Sequence, residues 1–129
     1  MDERPRLERK HRVTPRRGTV VLLSLDPTLG HEQRGLRPCV VVSSPAVIAD
    51  LRFPLVCVVP ITGTPGEGAL YPPLVPGASG LRQRSFALVD QLRSVDKSRV
   101  RRLLGRVSAP ELAAIDEGLR LYLGLEAME

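Results

Sequence analysis

Short apolar runs rich in valine and leucine alternate with glycine- and proline-rich segments along most of the chain. Runs of that length bounded by turn residues read as strands. The first covers residues 19–25, opened by Gly18 and broken by Asp26-Pro-Thr-Leu-Gly30. Residues 39–42 and 55–62 give the next two, with a connecting loop over 45–54. Residues 63–80, which include Gly-Thr-Pro-Gly-Glu-Gly and Tyr-Pro-Pro, read as a long surface loop with one short strand near 69–74. Ser85-Phe-Ala-Leu-Val-Asp-Gln91 reads as a further strand, 96–103 as a short helix basic on its exposed side, and 104–107 as a last strand. Ser108-Ala-Pro-Glu111 is a capping box with proline in the first turn, where no N–H is needed. Leu112, Ile115, Leu119 and Tyr122 follow at helical spacing, which predicts a terminal helix to about Leu123.

Many short strands with Gly/Pro loops and one firm terminal helix predict a mainly β, α+β chain. The expected architecture is a small, partly open SH3-like barrel with short helices and a C-terminal helix. Residues 1–17 carry charge without apolar periodicity and are expected to be a basic, disordered tail. Residues 18–125 form the barrel domain, and 126–129 a short C-terminal tail.

One junction stands out. The polar loop from Gly30 to Gly35 runs straight into the 39–42 strand, with Arg37 and Pro38 between them. A proline suits the first residue of a strand and pushes the residue before it into extended backbone. Arg37 is therefore held on stiff backbone at the rim of a sheet. If the 39–42 and 55–62 runs pair antiparallel with Ser44 opposite Leu55, Arg37 lies opposite Thr62, and opposed side chains share a face. The register is an assumption at this stage.

Charge and composition narrow the partners. The 129 residues carry a net charge of +5 and a pI near 10.0, which suits an anionic partner or simple solubility equally well. Aromatic residues are 3 % and tryptophan is absent, so the core must be aliphatic and stacking platforms for unpaired bases are excluded. Cys39 and Cys57 sit in apolar runs and point to opposite faces in the assumed register, so free buried thiols in a reducing cytoplasm are expected. No run approaches a membrane span, and the charged N-terminus lacks the apolar stretch of a signal peptide.

Most catalytic chemistries lack their residues. There are two histidines, His11 and His31, and no HxxxH, CxxC or carboxylate cluster, so no metal site or cofactor is expected. No phosphate-binding glycine loop and no nucleophile elbow is present. A metal-free reaction on RNA remains, in which the ribose 2′-OH is the nucleophile. An arginine fork matches two phosphate oxygens, and a threonine hydroxyl can donate to a third or orient the 2′-OH. Arg37 and Thr62 fit those roles. The arginine suits charge stabilisation better than proton abstraction, because a guanidinium stays protonated at ordinary pH. On the residues alone, Arg37 serves as well in a surface ion pair and Thr62 as a β-branched strand residue.

The residues 19–25, Asp26-Pro-Thr-Leu-Gly30, Glu32-Gln-Arg-Gly-Leu-Arg-Pro38, Pro-Ile-Thr62, Leu88-Val-Asp-Gln-Leu-Arg-Ser-Val-Asp-Lys97, Leu104-Gly-Arg-Val-Ser108 and the final helix resemble, in order, the MazF/PemK toxin family. The resemblance spans about 17–125. It implies a homodimeric, metal-independent endoribonuclease that cuts single-stranded mRNA at a short sequence, leaving 2′,3′-cyclic phosphate and 5′-OH ends. The family's catalytic arginine and threonine fall on Arg37 and Thr62. Glu32 and Gln33 fall in the loop that flanks the RNA channel, and Gln91 near it. Arg82 and Arg84, leading into the Ser85 run, are read as RNA-binding. An acidic antitoxin is expected to lie over the same basic groove. His31 stands where the family often has a small polar residue, an auxiliary candidate for proton transfer. Arg84 replaces a common acidic residue. A gyrase-binding toxin of the CcdB type, which would not need Arg37 and Thr62, and a non-catalytic nucleic-acid-binding barrel are the alternatives.

Overall fold

The computed structural model describes residues 14–24 and 35–125. Its elements in chain order are β1 (Thr19–Ser24), β2 (Leu36–Val41), α1 (Pro45–Ala49), β3 (Leu55–Thr62), β4 (Pro73–Leu74), β5 (Ser85–Ala87), β6 (Arg93–Asp96), β7 (Val100–Arg106) and α2 (Ala109–Leu123). All pairings are antiparallel, in the order β4-β5-β3-β2-β1-β7, with β6 also on β3. The first half of β3 pairs with β6 and its end pairs with β5, so one long strand serves two partners on one edge. Register shifts where β1 meets β7 bend the sheet further. The result is the partly open barrel expected from the strand pattern.

Both faces of the sheet are covered, which is why the strands read as continuous apolar runs rather than strict alternation. Val20, Val40, Val59 and Ile61 pack on one side with Leu74 and with Ile115 of α2. Val21, Leu23, Cys39, Val41, Val56 and Val58 pack on the other, with Val95 and Ile48 of α1. Each fully buried aliphatic side chain contributes about 1.5–3 kcal/mol by leaving water.

The helix ends follow local chemistry. Ser108 Oγ accepts from the Glu111 N–H at 3.2 Å, and Glu111 Oε1 accepts from the Ser108 N–H at 2.8 Å. Gly124 closes α2 in the left-handed region at φ 73°. The other Glu111 oxygen accepts from the Val75 N–H at 2.9 Å, which ties the long loop to the helix. α1 is a short helix inside the segment expected to be a loop; Ser44 caps it and Pro45 opens it.

Four further expectations change. The 85–91 segment is a strand only to Ala87, because Val89–Gln91 coils into a 3-10 turn. The 96–103 helix does not form. Asp96 caps a single 3-10 turn over Lys97–Arg99, and Val100–Arg106 then runs as β7 against β1. Pro38 is the third residue of β2 rather than the first. Arg17, at the end of the segment read as a tail, is built into the fold: its Nη2 lies 2.6 Å from Asp116 Oδ1, and its Nε donates to the Val42 carbonyl at 3.0 Å. Residues 1–13 and 126–129 lie outside the described residues. Among the described residues no helix is long and apolar enough to cross a membrane.

Candidate nucleic-acid groove

Cys39 lies opposite Pro60, Val40 opposite Val59, and Val41 opposite Val58. Carried outward, that ladder sets Arg37 against Thr62 and Ser44 against Leu55, the register assumed from the sequence. Arg37 is exposed on β2, paired along the backbone with Leu23 of β1. Thr62 ends β3 half-buried, opposite Phe86 of β5. The Thr62 hydroxyl oxygen accepts from the Thr64 N–H at 3.1 Å. One lone pair is thereby used, and among the described residues the hydroxyl proton has no acceptor.

Arg37 and Thr62 line a single groove of about 640 Å³. Its apolar base comes from Leu22, Pro38, Ile61, Leu81 and Leu104. Its polar walls add Arg82, Gln83, Ser85 and Arg102, with no carboxylate among the described lining residues. The wall carrying Arg82 and Gln83 exists because the long loop folds back onto β7. The Arg106 N–H donates to the Ala78 carbonyl at 2.9 Å. A Cβ on Gly105 would run into that same carbonyl oxygen. Gly80, at φ +81°, passes so close to the Leu104 carbonyl that a side chain there would both strain the backbone and collide with it.

The sequence-derived candidates divide three ways. Arg37, Thr62 and Arg82 meet in the groove. Arg84 does not line it; its guanidinium stands over the Phe86 ring, 5.6 Å from the centroid. Gln91 is exposed at the end of the 3-10 turn and lies outside the lining. His31, Glu32 and Gln33 fall outside the described residues. Arg102 was read as part of a basic helix face. Its place on β7 opposite Leu22 brings it into the groove instead.

Cys39 sits beneath this rim. Burial pushes its thiol up to about 12, against the opposing pull of the Arg93 and Arg37 charges. It is therefore a packed, neutral thiol rather than a nucleophile. Among the described residues no three His, Cys, Asp or Glu side chains converge as a metal site would require.

Residues 16–123 match the family described as PemK-like, MazF-like toxin of type II toxin-antitoxin system. The endoribonuclease MazF9 of Mycobacterium tuberculosis is 38% identical over 114 residues, covering 85% of this chain and 97% of that protein. A solved MazE-MazF complex from Deinococcus radiodurans superposes with a TM-score of 0.72 at 31% identity, covering 88% of this chain and 98% of the other. A mycobacterial endoribonuclease solved with its cognate antitoxin shares the fold, with a TM-score of 0.72 at 23% identity over 88% of this chain and 99% of that one. The matched residues hold every strand, both helices and the whole groove, and the chain belongs to the PemK/MazF family of type II toxin–antitoxin toxins.

Proposed function

We propose that the chain is a sequence-specific, metal-independent endoribonuclease toxin acting on single-stranded mRNA in the cytoplasm. The observation that carries this reading is the meeting of Arg37 and Thr62 in one basic groove. A substrate 2′-OH attacks the adjacent phosphorus, the 2′-O–P bond forms, and the P–O5′ bond breaks. The 2′-OH loses its proton and the departing 5′ oxygen gains one. The products are a 2′,3′-cyclic phosphate and a 5′-OH. The planar fork of Arg37 engages two phosphate oxygens as charge builds on the phosphorane. The outward-donating Thr62 hydroxyl supplies a third contact, of the kind worth about 10²–10³ in rate when removed. Arg82 and Arg102 hold neighbouring phosphates.

Two chains related by a two-fold axis would extend the groove along a longer RNA and carry two copies of the site. The relatives solved with an antitoxin support an antitoxin partner for this chain; in our reading that partner is acidic, covers the groove arginines and competes with RNA. Purified protein incubated with a long RNA in EDTA tests the reading. Discrete cuts with 5′-OH ends are expected. No cleavage refutes it and leaves the gyrase-binding and non-catalytic readings. Light scattering at micromolar concentration is expected to report a dimer, and a monomer would refute that part.

A further inference from the structure

The cleavage reading assigns the groove's charged donors to the phosphate backbone. Arg37, Arg82 and Arg102 suit phosphate oxygens, and such contacts position an RNA without reading its bases. Ser85 is buried, and its hydroxyl is occupied in donating to the Gln83 carbonyl at 3.0 Å. Gln83 is the one described lining residue whose side chain offers a donor and an acceptor side by side in a plane.

Its position is also constrained. The Gln83 carboxamide lies against Gly63, the residue after Thr62, and a Cβ on Gly63 would run into Gln83 Nε2. Gly63 therefore makes room for the amide just past the end of β3, while the Ser85 hydroxyl donates to the Gln83 backbone carbonyl. Arg37, Thr62 and Gln83 line the same groove, so an RNA whose phosphate is held by Arg37 and Thr62 passes the Gln83 amide. The bases of a single strand are open to such hydrogen bonding along their edges. Each base carries a donor beside an acceptor on such an edge, so a fixed amide can pair with one of them in two places at once.

We infer that Gln83 is a specificity-determining residue that reads a base next to the scissile phosphate, and that Gly63 leaves the room its amide occupies. This rests on the cleavage reading above. The test measures kcat/KM on short RNAs that differ only in the base at each position flanking the cut, for wild type, Gln83→Ala and Gly63→Ala. Circular dichroism melts confirm that the variants fold. The wild-type preference for one base over the others at one flanking position is expected to fall about 10- to 100-fold in Gln83→Ala. Gly63→Ala, which keeps the glutamine but displaces its amide, is expected to lose the same preference. Unchanged base ratios in a cleaving Gln83→Ala variant, including a loss of rate that is uniform across bases, would overturn the assignment. A wild-type protein that cuts no RNA would instead overturn the cleavage reading on which it depends.

Discussion

Arg102→Ala should flatten the salt dependence of RNA binding by one charge's worth. Three arginines, Arg37, Arg82 and Arg102, line the groove without a carboxylate among its described residues. Each phosphate neutralised on a single strand contributes about 0.7 to the slope of log affinity against log salt. Full engagement of the three gives a slope of about −2, so raising salt from about 50 to about 200 mM should weaken binding about 18-fold. Without Arg102 the slope should be about −1.4 and the same change should cost about sevenfold. The assay is fluorescence anisotropy with a labelled RNA carrying 2′-deoxyribose throughout the cut region, which binds but cannot be cleaved. Arg101→Ala is the control, because Arg101 is exposed on the same strand but does not line the groove. Equal slopes for wild type and Arg102→Ala, or an equal loss in Arg101→Ala, would refute the reasoning.

Two other substitutions and conditions are informative. Thr62→Val keeps the β-branched shape at the end of β3 and removes the hydroxyl, so cleavage should slow by roughly 10²–10³ with little change in melting temperature; wild-type rates would reduce Thr62 to a strand residue. Cys39, with its thiol raised to about 12, should resist alkylation at pH 8 in the folded protein and react once the chain is unfolded. In the unfolded chain that thiol ionises near its ordinary value of 9.0, so its contribution to stability should be intact below pH 9 and be lost as the pH rises toward 12. A Cys39→Ser variant that retains the same alkaline loss would show that other groups cause it.

The β2 and β3 strands were legible from their β-branched runs and bounding prolines, but their register was an assumption; the observed ladder, Cys39 opposite Pro60 to Val41 opposite Val58, is the one that carried outward joins Arg37 to Thr62. The terminal helix was legible because a capping box acts within four residues and needs no tertiary help. Residues 96–103 misled for the opposite reason. Asp96 does cap a turn, but pairing with β1 then captures Val100–Arg106 as a strand, and tertiary contacts override local preference. Arg102 was lost with that misreading, since its strand position is what aims it at the groove. Gln83 was out of reach as well. Its role depends on a loop folding back onto β7 through Ala78 and Gly105, a contact between distant residues that no local pattern records.

The account turns on Arg37, and single-turnover cleavage of a defined RNA in EDTA, with wild type, Arg37→Ala and Arg37→Lys side by side, tests it most directly. Wild type should give fragments with 2′,3′-cyclic phosphate and 5′-OH ends. Arg37→Ala should lose nearly all cleavage while keeping its fold, and Arg37→Lys should recover little, because a point charge cannot make the two-pronged contact. Cleavage by Arg37→Ala at the wild-type rate, or wild-type cleavage that EDTA abolishes, would contradict the account.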